Sequence, residues 1–128
     1  MDVLATPETR TRTDVDQLQG SWSTLAGHKE ARLLVAGRRF AFEFVGEQVF
    51  FGTFSLDVST NPKRMDMLIE EGPDEDRGKL AHCIYHIEGE VLRWCPTKPG
   101  SPKRLAAFPG VDDHRYFSMV FRQVRTRK

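Results

Sequence analysis

"RRFAFEFVGEQVFFGTFSLD", residues 38–57, decides what kind of chain this is. Its first half alternates: Phe40, Phe42 and Phe44 share one side, and Arg39, Ala41 and Glu43 the other. Side chains on a strand point by turns to its two faces, so this spacing makes an extended segment with one aromatic face. "GEQ" then supplies a turn, and "QVFFGTFSLD" returns as the second strand of a hairpin. Gly52, in the middle of that return, predicts a bulge or a close approach of two backbones, devices used where a sheet bends.

The same two-residue rhythm runs outward in both directions. "SWSTLAG" reads as a short strand, "ARLLVAG" as either a strand or a turn of helix with strand preferred, and "MDMLIEE" sets Met65, Met67 and Ile69 against Asp66, Leu68 and Glu70. "GPDEDRGK" is a long polar turn, and "LAHCIYHI" with "EVLRWC" forms a hairpin around Glu88-Gly89. "PTKPGSP" is a stiff loop, "KRLAAF" a short strand, "PGVDDH" a loop, and "RYFSMVFRQV" the closing strand. Ahead of all these, "DVDQLQ" makes one helical turn capped by Asp14, with Val15 and Leu18 facing inward. No segment after residue 20 holds a 3.6-residue period for three turns. Eight or nine short strands at regular spacing mean a sandwich or a barrel.

At 128 residues the chain is one domain, read here as a loose tail over 1–15, a folded body over 16–124 and a basic tail over 125–128. With 39% hydrophobic residues, nine of the side chains being phenylalanine, it can fill a sizeable core. Nineteen Lys and Arg against 18 Asp and Glu leave a net charge of +1, with signs interspersed, which argues against nucleic acid as the partner. "RQVRTRK" at the end is a solvated tail. No apolar run suits a bilayer span, so no membrane role is expected. The first residues lack a charged-then-apolar leader, and two cysteines suit a reducing compartment, both of which point to the cytoplasm.

"LQGSW", residues 18–22, resembles the Gly-x-Trp opening of the lipocalin-like (calycin) barrels. More narrowly, the chain is similar to a family of small bacterial lipocalin-like domains. The shared pattern runs through "LQGSW", "FFGTFSLD", "NPKRMDM", "EEGPDEDRG", "IYHIEGEVLRWC" and a final aromatic-aliphatic strand, over about residues 17 to 124. The resemblance implies an all-β fold: an antiparallel up-and-down β-barrel of about eight strands with a short N-terminal helical turn. It also implies that Trp22 seals one end beneath a cation from the last strand, for which Arg122 in "MVFRQV" is the match. It brings no agreed activity and no catalytic residues. Physics supports a seal of this kind. An indole buries on the order of 200 Å², a stacked Arg adds about 1–2 kcal/mol, and Gly20 permits a tight entry into the first strand.

Few constellations suggest chemistry. His82 and His86 lie four apart, which on a strand separates them by ~13 Å, too far to share a metal ion. His28 and His114 fall in loops, and no metal or other cofactor is expected. The acidic turn Glu70, Glu71, Asp74, Glu75 and Asp76 is interrupted by Pro73 and does not match a calcium loop. Cys83 and Cys95 flank the Glu88-Gly89 turn. A three-residue loop there sets His86 opposite Glu90 and Ile84 opposite Leu92, placing the two cysteines diagonally on one face, with their pairing left open. His86, Tyr85 and Glu90 are the candidate acid–base groups, though His86 and Tyr85 point to opposite faces.

What remains is the inward set. Phe40, Phe42, Phe44, Phe54, Met65, Met67, Ile69 and Leu92 are expected to line the interior, with Phe117, Met119 and Phe121 from the last strand. Of these, Phe42, Phe44, Phe54, Met65, Met67, Ile69, Leu92 and Met119 are the expected ligand contacts, with His86, Tyr85 and Arg93 as polar rim groups. A barrel of about eight strands is either just filled or holds one small ligand. Three readings follow: a module binding one small apolar or aromatic molecule, a cofactor-independent cyclase or isomerase, and a structural or interaction domain with a filled core. A homodimer stays open in all three.

Overall fold

The structure is a computed structural model that describes residues 13–26, 30–110, 113 and 118–124. One short helix, α1 (Asp14–Leu18), precedes eight strands: β1 (Gly20–Ala26), β2 (Ala31–Ala36), β3 (Arg39–Phe44), β4 (Val49–Asp57), β5 (Lys63–Glu71), β6 (Leu80–Glu88), β7 (Val91–Pro96) and β8 (Met119–Val124). Each strand pairs antiparallel with the next, and β8 pairs back onto β1, so the sheet closes as an up-and-down barrel. The chain is all-β, as the strand rhythm implies. Of the expected tails, 1–12 and 125–128 lie outside the described residues, whereas Asp14 and Val15 belong to α1.

Period-two burial explains how these strands find their faces. β2 reads buried and exposed in strict alternation, and Met65, Met67 and Ile69 on β5 are all buried. Inward side chains merge into one core that includes Leu33, Phe40, Phe54, Tyr85, Trp94 and Phe121. Between Phe51 and Gly52 the β4–β5 register shifts, the bulge that Gly52 foreshadows. A Cβ at Gly52 would fall inside the van der Waals sphere of the Leu68 carbonyl oxygen. Only glycine lets the two strands approach so closely at that bend.

Alternate antiparallel order sends the connections to two ends. One end carries the entry to β1, the tight Gly37-Arg38 turn, residues 58–62 and the Gly89-Glu90 turn. The other carries residues 45–48, 72–79 and the long β7–β8 connection. The first end is closed by α1. Its cap is Thr13 and not Asp14: the Thr13 hydroxyl accepts from the Asp16 N–H at 3.1 Å, and the Asp16 carboxylate accepts from the Thr13 N–H at 3.4 Å. A five-residue helix has no stability of its own in water. It is held by the buried Leu18 and by the Trp22 indole N–H, which donates to the Leu18 carbonyl at 2.8 Å.

Three expectations are corrected. Residues 103–108 form no strand and lie in the connection between β7 and β8. The β6–β7 hairpin turns on two residues, so Glu88 opposes Val91 and His86 opposes Arg93. That three-residue slip from the expected register exchanges faces: Tyr85 and Cys83 point inward, Ile84, His86 and Cys95 outward. Cys83 and Cys95 therefore lie on opposite faces, and both are free thiols.

Arg122 does not cover Trp22. It is exposed on the outer face of β8, opposite Ser23 and Val91, while Gln123 is the residue paired with Trp22. The Gln123 amide donates to the Gln19 carbonyl at 2.8 Å, and the Gln19 side chain bonds both ways with the backbone of Gly37, at 2.7 and 2.9 Å. Two neutral amides thus do the stitching that a guanidinium was expected to do.

Candidate functional site

The open end of the barrel holds a cavity of ≈ 630 Å³. Its inner wall is apolar: Phe40, Phe42 and Phe44 from β3, Phe50 from β4, Met67 and Ile69 from β5, and Trp94 from β7. Alternation on each strand aims these side chains inward. Phe42 is the hub, with ring centroids 5.0 Å from Phe44, edge to face, 5.0 Å from Trp94 and 6.2 Å from Phe50. Trp94 in turn lies 6.0 Å from Phe121, joining the cavity wall to the packed half below. Among the described residues its indole N–H closes no hydrogen bond; the Cys83 thiol lies beside it, but sulfur is a weak acceptor.

Charged groups are confined to the mouth. Glu75 and Asp76 come from the β5–β6 loop, and Lys98, Lys103 and Arg104 from the β7–β8 connection. The latter also brings Pro99 and Leu105 over the opening. A shallower depression, lined by Glu47, Gln48 and Pro73 among others, adjoins it and shares Phe44, Phe50 and Glu75.

The β7–β8 connection is fastened to the outside of the barrel. The Thr97 and Gly100 N–H groups donate to the carbonyls of His82 at 3.2 Å and Leu80 at 2.8 Å. Further on, Arg104 donates through Nη2 to Asp66 Oδ1 at 2.6 Å and through Nη1 to the Cys83 carbonyl at 3.1 Å. Burial pushes the Asp66 carboxyl up, but hydrogen bonds from His82 and Arg104 and the guanidinium charge outweigh it, leaving the group below the usual carboxylate range. Arg93 stacks over Phe108 at 4.3 Å. This cover accounts for Ile84 and Cys95, which point outward and yet are buried.

The expected ligand contacts divide between the two halves. Phe42, Phe44, Met67 and Ile69 line the cavity; Phe54, Met65, Leu92 and Met119 are buried in the core without lining it. Phe117 lies outside the described residues, as do His28 and His114. Trp94 and Phe50 belong to the cavity wall and were not singled out from the sequence. Trp94 was within reach of alternation, since it shares a face with Leu92 on the same strand.

The candidate acid–base groups do not converge. His86 is exposed on the outer face, 3.5 Å from Glu88, and Glu90 sits in the β6–β7 turn. Tyr85 is fully buried near the closed end, where its hydroxyl donates to Asp14 at 2.7 Å beside Lys63, 2.9 Å from the same oxygen. Burial and that hydrogen bond push the Tyr85 phenol far above its ordinary value. Burial likewise raises the Cys83 thiol strongly and pushes Cys95 up to about 11, so neither is a ready thiolate at neutral pH. Among the described residues, no three of His, Cys, Asp and Glu cluster as metal ligands, and no helix is long and apolar enough to cross a membrane.

Compared with protein-family models, curated proteins and solved structures, the chain finds no match. What the geometry defines is a closed eight-stranded antiparallel barrel, stoppered at one end and hollow at the other.

Proposed function

We propose that the chain is a lipocalin-like binding module that holds one small apolar or aromatic molecule in the open half of its barrel. The observation that carries this reading is the ≈ 630 Å³ cavity with its aromatic and aliphatic inner wall. That size falls within the ~300–1,000 Å³ of small-molecule sites. Burying an apolar guest against these rings gives about 25 cal/mol for each Å² removed from water. The cyclase or isomerase reading is weaker, because the titratable lining residues sit at the mouth and the inner wall is apolar. A filled core describes only the end that carries Trp22.

Titration with the uncharged fluorophore phenylnaphthylamine tests the proposal. The expected result is saturable enhancement at one probe per chain, with transfer from tryptophan that Trp94→Phe reduces. Linear, unsaturable uptake by folded protein would sink the reading.

A further inference from the structure

The connection over the mouth is tied down by a cluster that a proton can rearrange. His82 Nδ1 lies 2.9 Å from Asp66 Oδ1 and 3.0 Å from Arg104 Nη2. One ring nitrogen offers either a lone pair or an N–H, never both. A neutral imidazole carrying its proton on Nε2 accepts from Arg104. An imidazolium instead donates to Asp66, and its charge then faces the guanidinium. Arg104 loses one acceptor, gains a like-charged neighbour, and shares Asp66 Oδ1, its closest contact at 2.6 Å, with a competitor.

Arg104 is also where this fastening meets the cavity. It lines the mouth together with Thr97, Lys98, Pro99, Lys103 and Leu105, so what loosens Arg104 loosens the cover. The cover's other side-chain attachment, the Thr97 hydroxyl, donates to the His82 carbonyl at 2.8 Å, while the second guanidinium nitrogen of Arg104 stays on the Cys83 carbonyl at 3.1 Å, so the proton loosens the Asp66 and His82 contacts of Arg104 and not every tie. The other charged groups around the ring are Arg64, one cross-strand pair along β5, Asp57 opposite Arg64, and the exposed Lys103 beside Arg104. Among the described residues only Asp66 and Arg104 meet the imidazole through hydrogen-bonding atoms.

We propose that residues 97–105 form a strap across the cavity mouth whose fastening at Arg104 is released when His82 takes up a proton, so that bound ligand exchanges faster in mildly acid solution. The proposal rests on the reading of the cavity as a binding site and adds its regulation. Histidine is the side-chain type whose charge ordinarily changes between pH ~5 and ~8, which sets the two pH values compared in the test. Arg104 acts here as a positioning residue for the strap.

The test is stopped-flow displacement of phenylnaphthylamine from the full chain. Dissociation is expected to be about five-fold or more faster at pH ~5.5 than at pH ~7.5. His82→Gln should flatten that difference while still binding the probe, and Arg104→Met should dissociate fast at both pH values. Equal rates for the native chain at both pH values, slower release in acid, or an undiminished pH response in His82→Gln would each overturn the strap while leaving the pocket intact. Absence of saturable binding at either pH would remove the pocket and the strap with it. Should His82→Gln fail to fold, amide exchange in the native, ligand-free chain decides instead. Protection across 97–105 should fall in acid relative to the barrel strands, and unchanged protection would overturn the proposal.

Discussion

At one end of the barrel an indole, a helix and two glutamines are tied to one another; at the other, a ring of phenylalanines faces a cavity of ≈ 630 Å³. Both ends grow from strands of the same alternating kind. What differs is the source of the closing group. The closed end is stoppered from within by Trp22, 1% exposed, whose polar edge reaches the Leu18 carbonyl, so a large apolar body is buried with no orphaned donor. The open end is covered by residues 97–105, which bond to the edge and outer face of the sheet and leave the rings beneath them lining the cavity. One end is stability; the other is capacity.

The largest expected effect separates these roles. Trp22→Ala should cost about 3–5 kcal/mol in chemical denaturation, since it removes a large buried ring from the stopper. The folded fraction should still bind phenylnaphthylamine with native affinity. Equal losses of stability and of affinity per folded molecule would show that the two ends are one unit.

Tyr85→Phe probes the same end more gently. Asp14 keeps Lys63 but loses its 2.7 Å phenol, which should cost about 1–2 kcal/mol at neutral pH. The pH dependence has a definite sign. Below pH ~10 both folded and unfolded chains hold the phenolic proton; above it the unfolded chain releases the proton and the folded chain does not, so stability falls as pH rises. The raised thiols of Cys83 and Cys95 act in the same direction from pH ~8.5. Denaturation at pH ~8 and ~11 should therefore show a shallower alkaline loss in Tyr85→Phe than in the native chain. An identical slope would mean that Tyr85 is not held protonated by its burial.

The smallest effect is expected at the mouth. Phe44 is half-buried at the rim of the cavity, and Phe44→Ala should change stability by about 1 kcal/mol or less while weakening probe binding about five-fold. A large loss of stability with unchanged binding would reverse the assignment of the two ends.

Much of the barrel could be read from residue spacing. Phe40 and Phe42, or Met65, Met67 and Ile69, can be buried together only if their strands present one face to a common interior. Gly52 marked the bend because no side chain fits there. Two failures have separate causes. The Glu88-Gly89-Glu90 stretch admits loops of different length, and the choice sets the register that decides whether Tyr85 or His86 enters the barrel. Arg122 was matched to Trp22 by a motif, but the alternation that buries Met119 and Phe121 sends residue 122 outward. The Asp66–His82–Arg104 cluster carried no spacing signal at all. Its members come from two strands and from residues 103–108, which form no strand.

By itself, then, the sequence determined the strands and which side chains travel together, because the two-residue period of an extended chain is a local property. Only the tertiary structure decided how the strands register, which end stays hollow and what lies across it. Those depend on where the closing pair β1–β8 and the connection over β6 come to rest, and contacts between residues so far apart in the chain leave no mark on any local pattern.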